Sequence, residues 1–133
     1  MAKAEDEGLA RLLLELGYQC LRGGRFAEAE TLLRGARALR PREAAPGLCL
    51  GMVSFARGGY AEAEQQYREV LAGHPDDELV RAFLGEAQIA QRRWADARQT
   101  LEPVVRAGRH PAAAAFAGEL LGQLDHGVFQ RSG

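Results

Sequence analysis

Histidine, cysteine and paired carboxylates are the side chains that move protons, attack carbonyl carbons or hold metal ions. In this sequence they are few and scattered. His74, His110 and His126 lie in turn-like stretches or near the C-terminal end, and the helical period brings no cysteine, serine or carboxylate to any of them as a partner. Cys20 and Cys49 sit among apolar neighbours on helical stretches, with no histidine at metal-ligand spacing. Buried free thiols are the favoured reading over a disulfide, and they fit a reducing compartment. The recurring acids Glu28, Glu62 and Asp96 fall in the first turn of a helix, where the positive end of the helix dipole accounts for them. Gly23-Gly24 and Gly58-Gly59 follow helices and lack the preceding strand and the lysine of a phosphate-binding loop. These residue types thus predict no catalytic residue, no metal ligand and no cofactor, and the chain is expected not to be an enzyme.

What does recur is a pattern of packing residues. Gly24-Arg25-Phe26-Ala27-Glu28-Ala29-Glu30 returns as Gly58-Gly59-Tyr60-Ala61-Glu62-Ala63-Glu64 and again as Arg92-Arg93-Trp94-Ala95-Asp96-Ala97-Arg98, a shift of 34 residues each time. At the same shift Leu16-Gly17 becomes Leu50-Gly51 and Leu84-Gly85, and Pro41 becomes Pro75. A 34-residue period carrying Leu-Gly, an aromatic followed by Ala-x-Ala, and Pro resembles the tetratricopeptide repeat. The resemblance implies an all-α fold: a right-handed α-solenoid of three helix pairs plus a C-terminal capping helix. The expected organisation is one domain over 1–124, with repeats at about 10–43, 44–77 and 78–111, a cap over 111–124 and a flexible tail over 125–133.

Helix signals agree with that division. Residues 1–7 are charged and expected to fray, after which Leu9, Leu12, Leu13, Leu16 and Cys20 recur at helical spacing up to Gly23-Gly24. The second helix opens at Phe26 and must stop by Arg40, because Pro41 disfavours helix in the residue before it. A third runs from about Ala44 to Arg57 and a fourth from Tyr60 to Ala72. Gly73-His74-Pro75-Asp76-Asp77 then supplies a stop, a turn and an N-cap. Repeat three begins near Glu78 and is the irregular one. Its turn at Arg92-Arg93 lacks glycine, Pro103 should kink or shorten its second helix, and Arg81 and Gln88 occupy slots that are usually apolar, which predicts looser packing. Gly17, Gly51 and Gly85, with Ala29, Ala63 and Ala97, are expected at the closest helix approaches. Phe26, Tyr60 and Trp94 are expected to fill the space between units as core.

Composition excludes several partners. A net charge of -1 with mixed signs along the chain leaves no basic face for nucleic acid, and no stretch of about 18 apolar residues exists to insert in a membrane. Sixteen of the 17 basic residues are arginine, which fits a GC-rich bacterial genome and carries no mechanism. The N-terminus offers no apolar segment of a secretory signal, so a cytoplasmic location is expected.

A tetratricopeptide solenoid, by resemblance, lines a concave groove with the first helix of each pair. The 34-residue shift identifies the corresponding slots as Leu14, Leu48 and Ala82; Tyr18, Met52 and Glu86; and Leu21, Phe55 and Ile89. All but Glu86 are uncharged, which suits an apolar protein client and not the carboxylate-terminated peptides that other members clamp with Lys, Arg and Asn. The alternative is that Leu21, Phe55 and Ile89 complete the core. A groove of this kind left open also predicts self-association of the isolated chain.

Ala36-Arg37-Ala38-Leu39-Arg40-Pro41, then Arg57-Gly58-Gly59-Tyr60-Ala61-Glu62-Ala63, and Val105-Arg106-Ala107-Gly108 before a final apolar helix also resemble the Hrp-type small tetratricopeptide proteins and assembly chaperones of bacterial type III secretion systems. That resemblance implies a cytoplasmic chaperone holding an export or needle-assembly component, commonly by an amphipathic helix. A general scaffold subunit of another bacterial assembly is the other reading.

Overall fold

The computed structural model describes residues 2–127, and among them it contains seven α-helices and no strand. These are α1 (Ala2–Arg22), α2 (Phe26–Leu39), α3 (Ala44–Ala56), α4 (Tyr60–Gly73), α5 (Glu78–Ala90), α6 (Trp94–Ala107) and α7 (Pro111–Asp125). They fall into two compact units that divide between Gly73 and His74. In the first, α1 packs on α2, α2 on α3 and α3 on α4, and α1 also touches α3. In the second, α5 packs on α6, and α7 closes over both. The tail expected over 125–133 begins inside α7 at Asp125, and 128–133 lie outside the described residues.

One small residue sets the distance between the two helices of each pair. A Cβ built on Gly17 would stand 2.7 Å from Leu33 Cγ, one on Gly51 2.2 Å from Tyr67 Cε1, and one on Gly85 2.4 Å from Leu101 Cδ2. Leu33, Tyr67 and Leu101 are themselves one repeat apart and fully buried. Ala29, Ala63 and Ala97 are also inaccessible to solvent, as the sequence pattern requires. Protein interiors pack at crystal density, so a methyl group in such a place has nowhere to go.

The three turns inside the pairs share one backbone path. Gly24, Gly58 and Arg92 take left-handed conformations (φ +76°, +86° and +63°), and the next amide, of Arg25, Gly59 or Arg93, donates back to the carbonyl of Cys20, Ser54 or Gln88 at 2.8–3.0 Å. This is the Schellman closure of a helix C-terminus. Arg92 adopts it without glycine, so the turn at Arg92-Arg93 keeps its shape at the cost of backbone strain.

Several expectations are corrected. The helix begins at Ala2, and residues expected to fray are tied back by Glu7, which accepts from Arg40 at 2.9 Å while Arg40 also donates to Glu43 at 3.1 Å. α6 runs through Pro103 and keeps 14 residues, the same as α2 and α4. Buried Leu101 and Val104 on either side anchor it to the core, offsetting the roughly 3 kcal/mol that an interior proline costs. The two polar slots of repeat three are partnered, and its helices touch less than those of the other two pairs, as the pattern led one to expect. Gln88 is buried and receives the Thr100 hydroxyl at 2.6 Å, and Arg81 donates to the Pro75 carbonyl at 2.6 Å.

Tyr60 is not core either: it is 37% exposed and meets Phe55 edge-on at 4.8 Å. Phe26 and Trp94 are half-buried. The Arg57 guanidinium lies over the Phe26 ring at 5.9 Å, and Trp94 packs against the core of the second unit. The large side chains at the centre of each pair are Leu33, Tyr67 and Leu101 instead.

Candidate protein-binding surface

Within the first unit α1 and α3 lie side by side, and the residues marked by the repeat register divide into two groups. Leu21 is 9% exposed and joins the core with Leu33, Cys49, Leu50 and Val53. Leu14, Leu48, Met52 and Phe55 are half-buried, and Tyr18 is 40% exposed with Arg22 stacked over its ring at 6.0 Å. Leu14 and Met52 rest one side on the core cluster. Leu48, Met52 and Phe55 fall on successive turns of α3, so they share one face of that helix. A half-buried apolar side chain of this kind is held in position by the core and still offers surface.

The second unit treats the same slots differently. Ala82 and Ile89 are buried in the cluster formed with Leu101, Val104, Ala113, Ala117 and Leu120. For Leu21, Ala82 and Ile89 the groove expectation therefore gives way to the core reading. α7 accounts for much of this in the second unit, since it supplies Ala113, Ala117, Leu120 and Leu124 to the cluster, and its Phe116 ring meets Phe83 at 5.1 Å. Glu86 remains, half-buried, and burial pushes its carboxyl above its ordinary value of 4.5.

Two of the histidines and Asp77 have structural roles. His110 caps α7, its Nδ1 accepting from the Ala113 amide at 3.0 Å, and His126 Nδ1 donates to the Gly122 carbonyl at 2.7 Å. Asp77 caps α5 through the Val80 amide at 3.1 Å. Both cysteines are free thiols, and burial raises the Cys49 pKa to about 11, which makes it a poor nucleophile. Among the described residues no three His, Cys, Asp or Glu side chains stand close enough to hold a metal ion. A cleft of about 210 Å³ in the first unit is lined by Glu7, Arg40 and Glu43, which are already paired with one another, and by Leu14, Ala36 and Pro46. It is smaller than the usual 300–1,000 Å³ of small-molecule sites. No helix among the described residues is long and apolar enough to cross a membrane.

What the sequence missed is a polar pair repeated across the units. In the first, the Ser54 hydroxyl donates to Gln66 Oε1 at 2.7 Å; in the second, the Thr100 hydroxyl donates to Gln88 Oε1 at 2.6 Å. Ser54 and Gln88 are one repeat apart, as are Gln66 and Thr100. The hydroxyl and amide partners have exchanged helices, a signal readable only when both columns of the repeat are compared together.

Helix pairs with one small residue at each crossing, closed by a common turn and repeated every 34 residues, define a class of helical repeat protein. A family profile described as Tetratricopeptide repeat matches residues 54–120, which is 67 of the 133 residues, and the chain belongs to that family. Among solved structures, the Arabidopsis OM64 TPR domain superposes with a TM-score of 0.74 at 14% identity, covering 89% of this chain and 98% of that one. A structure titled MamA RS-1 ArsTM double mutant gives 0.69 at 24% identity, over 90% of this chain and 70% of that one. At these identities the likeness is one of fold. Among curated proteins none matches the sequence. Tetratricopeptide repeats are protein-interaction scaffolds, which makes this chain a protein-binding module.

Proposed function

We propose that this protein is a cytoplasmic, non-enzymatic chaperone that holds one client, an amphipathic helix or other apolar segment of a bacterial type III export or needle-assembly component, against Leu14, Tyr18, Leu48, Met52 and Phe55. The observation that carries the reading is the apolar face of α3, where Leu48, Met52 and Phe55 stay half-buried on consecutive turns, together with an exposed Tyr18 on α1. An amphipathic helix laid on such a face anchors through residues at i, i+3, i+4 and i+7. Met52 at the centre suits it, because an unbranched thioether side chain adapts to different partners. The class of client rests on the sequence resemblance described above, and the apolar character of the face is what such a client requires. Glu86 sets the second unit apart at this register, so the apolar contact is assigned to α1 and α3.

The test is capture from the native host with wild-type protein and with Met52→Glu. Wild type should retain a secretion component that the variant loses, while both melt at similar temperatures. Equal retention by both proteins would sink the assignment of the surface, and a wild-type client unrelated to secretion would sink the assignment of the client.

A further inference from the structure

Among the described residues the most exposed apolar strip lies elsewhere, on α1. Leu9, Leu12 and Leu16 are 48%, 50% and 40% exposed, and their spacing of three and four residues puts them on one strip. Glu5 and Gln19 continue the strip at either end with the same alternation. This face points away from the core, which α1 reaches through Ala10, Leu14, Gly17 and Leu21. One repeat further on, the equivalents of Leu12 and Leu16 are Pro46 and Leu50. Both are buried, and α2 packs against that helix. α1 thus carries the same kind of helix-receiving face as α3, but uncovered.

The charges along α1 say what fits it. Glu5 and Asp6 stand at one end and Arg22 at the other, while Glu7 and Arg25 are already engaged by Arg40 and Glu28. Arg11 and Glu15 flank the strip near its middle, exposed, and neither makes an ion pair among the described residues. A second α1 laid parallel would set acid against acid and base against base. Laid antiparallel, it sets each acidic end against a basic one and brings Arg11 of each copy within reach of Glu15 of the other. Leucines meet leucines along the seam. At Gly8 an added Cβ would meet nothing within 4 Å, which leaves room for Leu16 of the second copy.

We propose that the Leu9–Leu12–Leu16 face of α1 is a self-association surface, pairing antiparallel with α1 of a second copy about a twofold axis near Leu12. A twofold, self-complementary contact is the commonest closed arrangement of identical chains. The strip is shorter than an interface of standard size, about 800 Å² per partner, so the dimer is weak, with a Kd on the order of 10 µM or above. The surface is distinct from the client-binding one, and the two can be separated by mutation.

Sedimentation equilibrium from low micromolar to about 1 mM protein tests it by mass action. The weight-average mass should climb from 14.4 kDa toward twice that value. Leu12→Glu should hold the protein monomeric over the whole range and leave its melting temperature within a few degrees of wild type. Arg11→Glu should weaken the dimer about tenfold, and Arg11→Glu combined with Glu15→Arg should restore it. Met52→Glu should dimerise like wild type. A protein that stays monomeric at every concentration, or a dimer that survives Leu12→Glu, overturns the proposal, and a dimer that the charge exchange fails to restore overturns the antiparallel arrangement.

Discussion

The two units reach the same helix-pair geometry with different side chains. In the first, Gly51 lies under the rigid Tyr67 ring, the turn is glycine at Gly58, the polar pair is Ser54–Gln66 and the central groove slot is Met52. In the second, the same positions are Gly85 under Leu101, Arg92 in the left-handed turn, Gln88–Thr100 with hydroxyl and amide exchanged, and Glu86. The comparison separates two kinds of position. Backbone path and helix spacing persist because a collision or an orphaned polar group would cost stability at each. The slot at Met52 and Glu86 is free to differ because fold geometry asks little of it.

If close approach sets the spacing, the largest effect should come where the facing group can least move aside. Gly51→Ala drives a methyl into an aromatic ring and should cost about 3 kcal/mol, or a fall in melting temperature on the order of 10 °C. Gly17→Ala faces the flexible end of Leu33 and should cost about 1 kcal/mol. Thermal denaturation of the two variants checks the order, and equal losses would mean that the ring and the leucine yield alike.

The turn comparison predicts a smaller and reciprocal pair. Gly58→Arg places a side chain in the left-handed region and should destabilise by about 1 kcal/mol. Arg92→Gly relieves that strain but gives the unfolded chain more freedom, so it should stabilise by only a few tenths of a kcal/mol. A stabilising Gly58→Arg in chemical denaturation would show that the shared turn does not depend on its left-handed residue.

The smallest effect is tied to pH. Burial raises the folded-state pKa of Glu86 above its ordinary value of 4.5, so between the two values the folded protein binds more protons than the unfolded chain. Stability associated with this group is therefore greatest below pH 4.5 and declines as pH rises through the raised value. Glu86→Gln should remove that decline and melt higher than wild type at pH 7, with the difference shrinking on acidification. A gap that widens toward acid would reverse the assigned cause.

Most of the architecture was legible because its determinants are periodic and local. Glycine turns, Pro41 and the Asp77 cap mark helix boundaries without reference to tertiary contacts, and the register alone places Gly17, Gly51 and Gly85 at the crossings. The misreadings came from positions whose neighbours are distant in sequence. Tyr60 shares its slot with Phe26 and Trp94, yet it meets solvent and Phe55. Leu21, Ala82 and Ile89 look like Leu14 or Met52 by period, and only packing sends the former to the core. Arg40 holding Glu7 joins the segment after α2 to α1, a contact no local signal reports.

The central claim is that the first unit binds a protein through apolar side chains that its core supports on one side and leaves open on the other. The direct measurement is the affinity of the captured client for wild type and for Met52→Glu, taken together with the melting temperature of each. The expected result is at least a tenfold loss of affinity, about 1.4 kcal/mol or more, with melting temperatures within a few degrees. An unchanged affinity would contradict the account, and so would a loss of binding fully explained by unfolding of the variant.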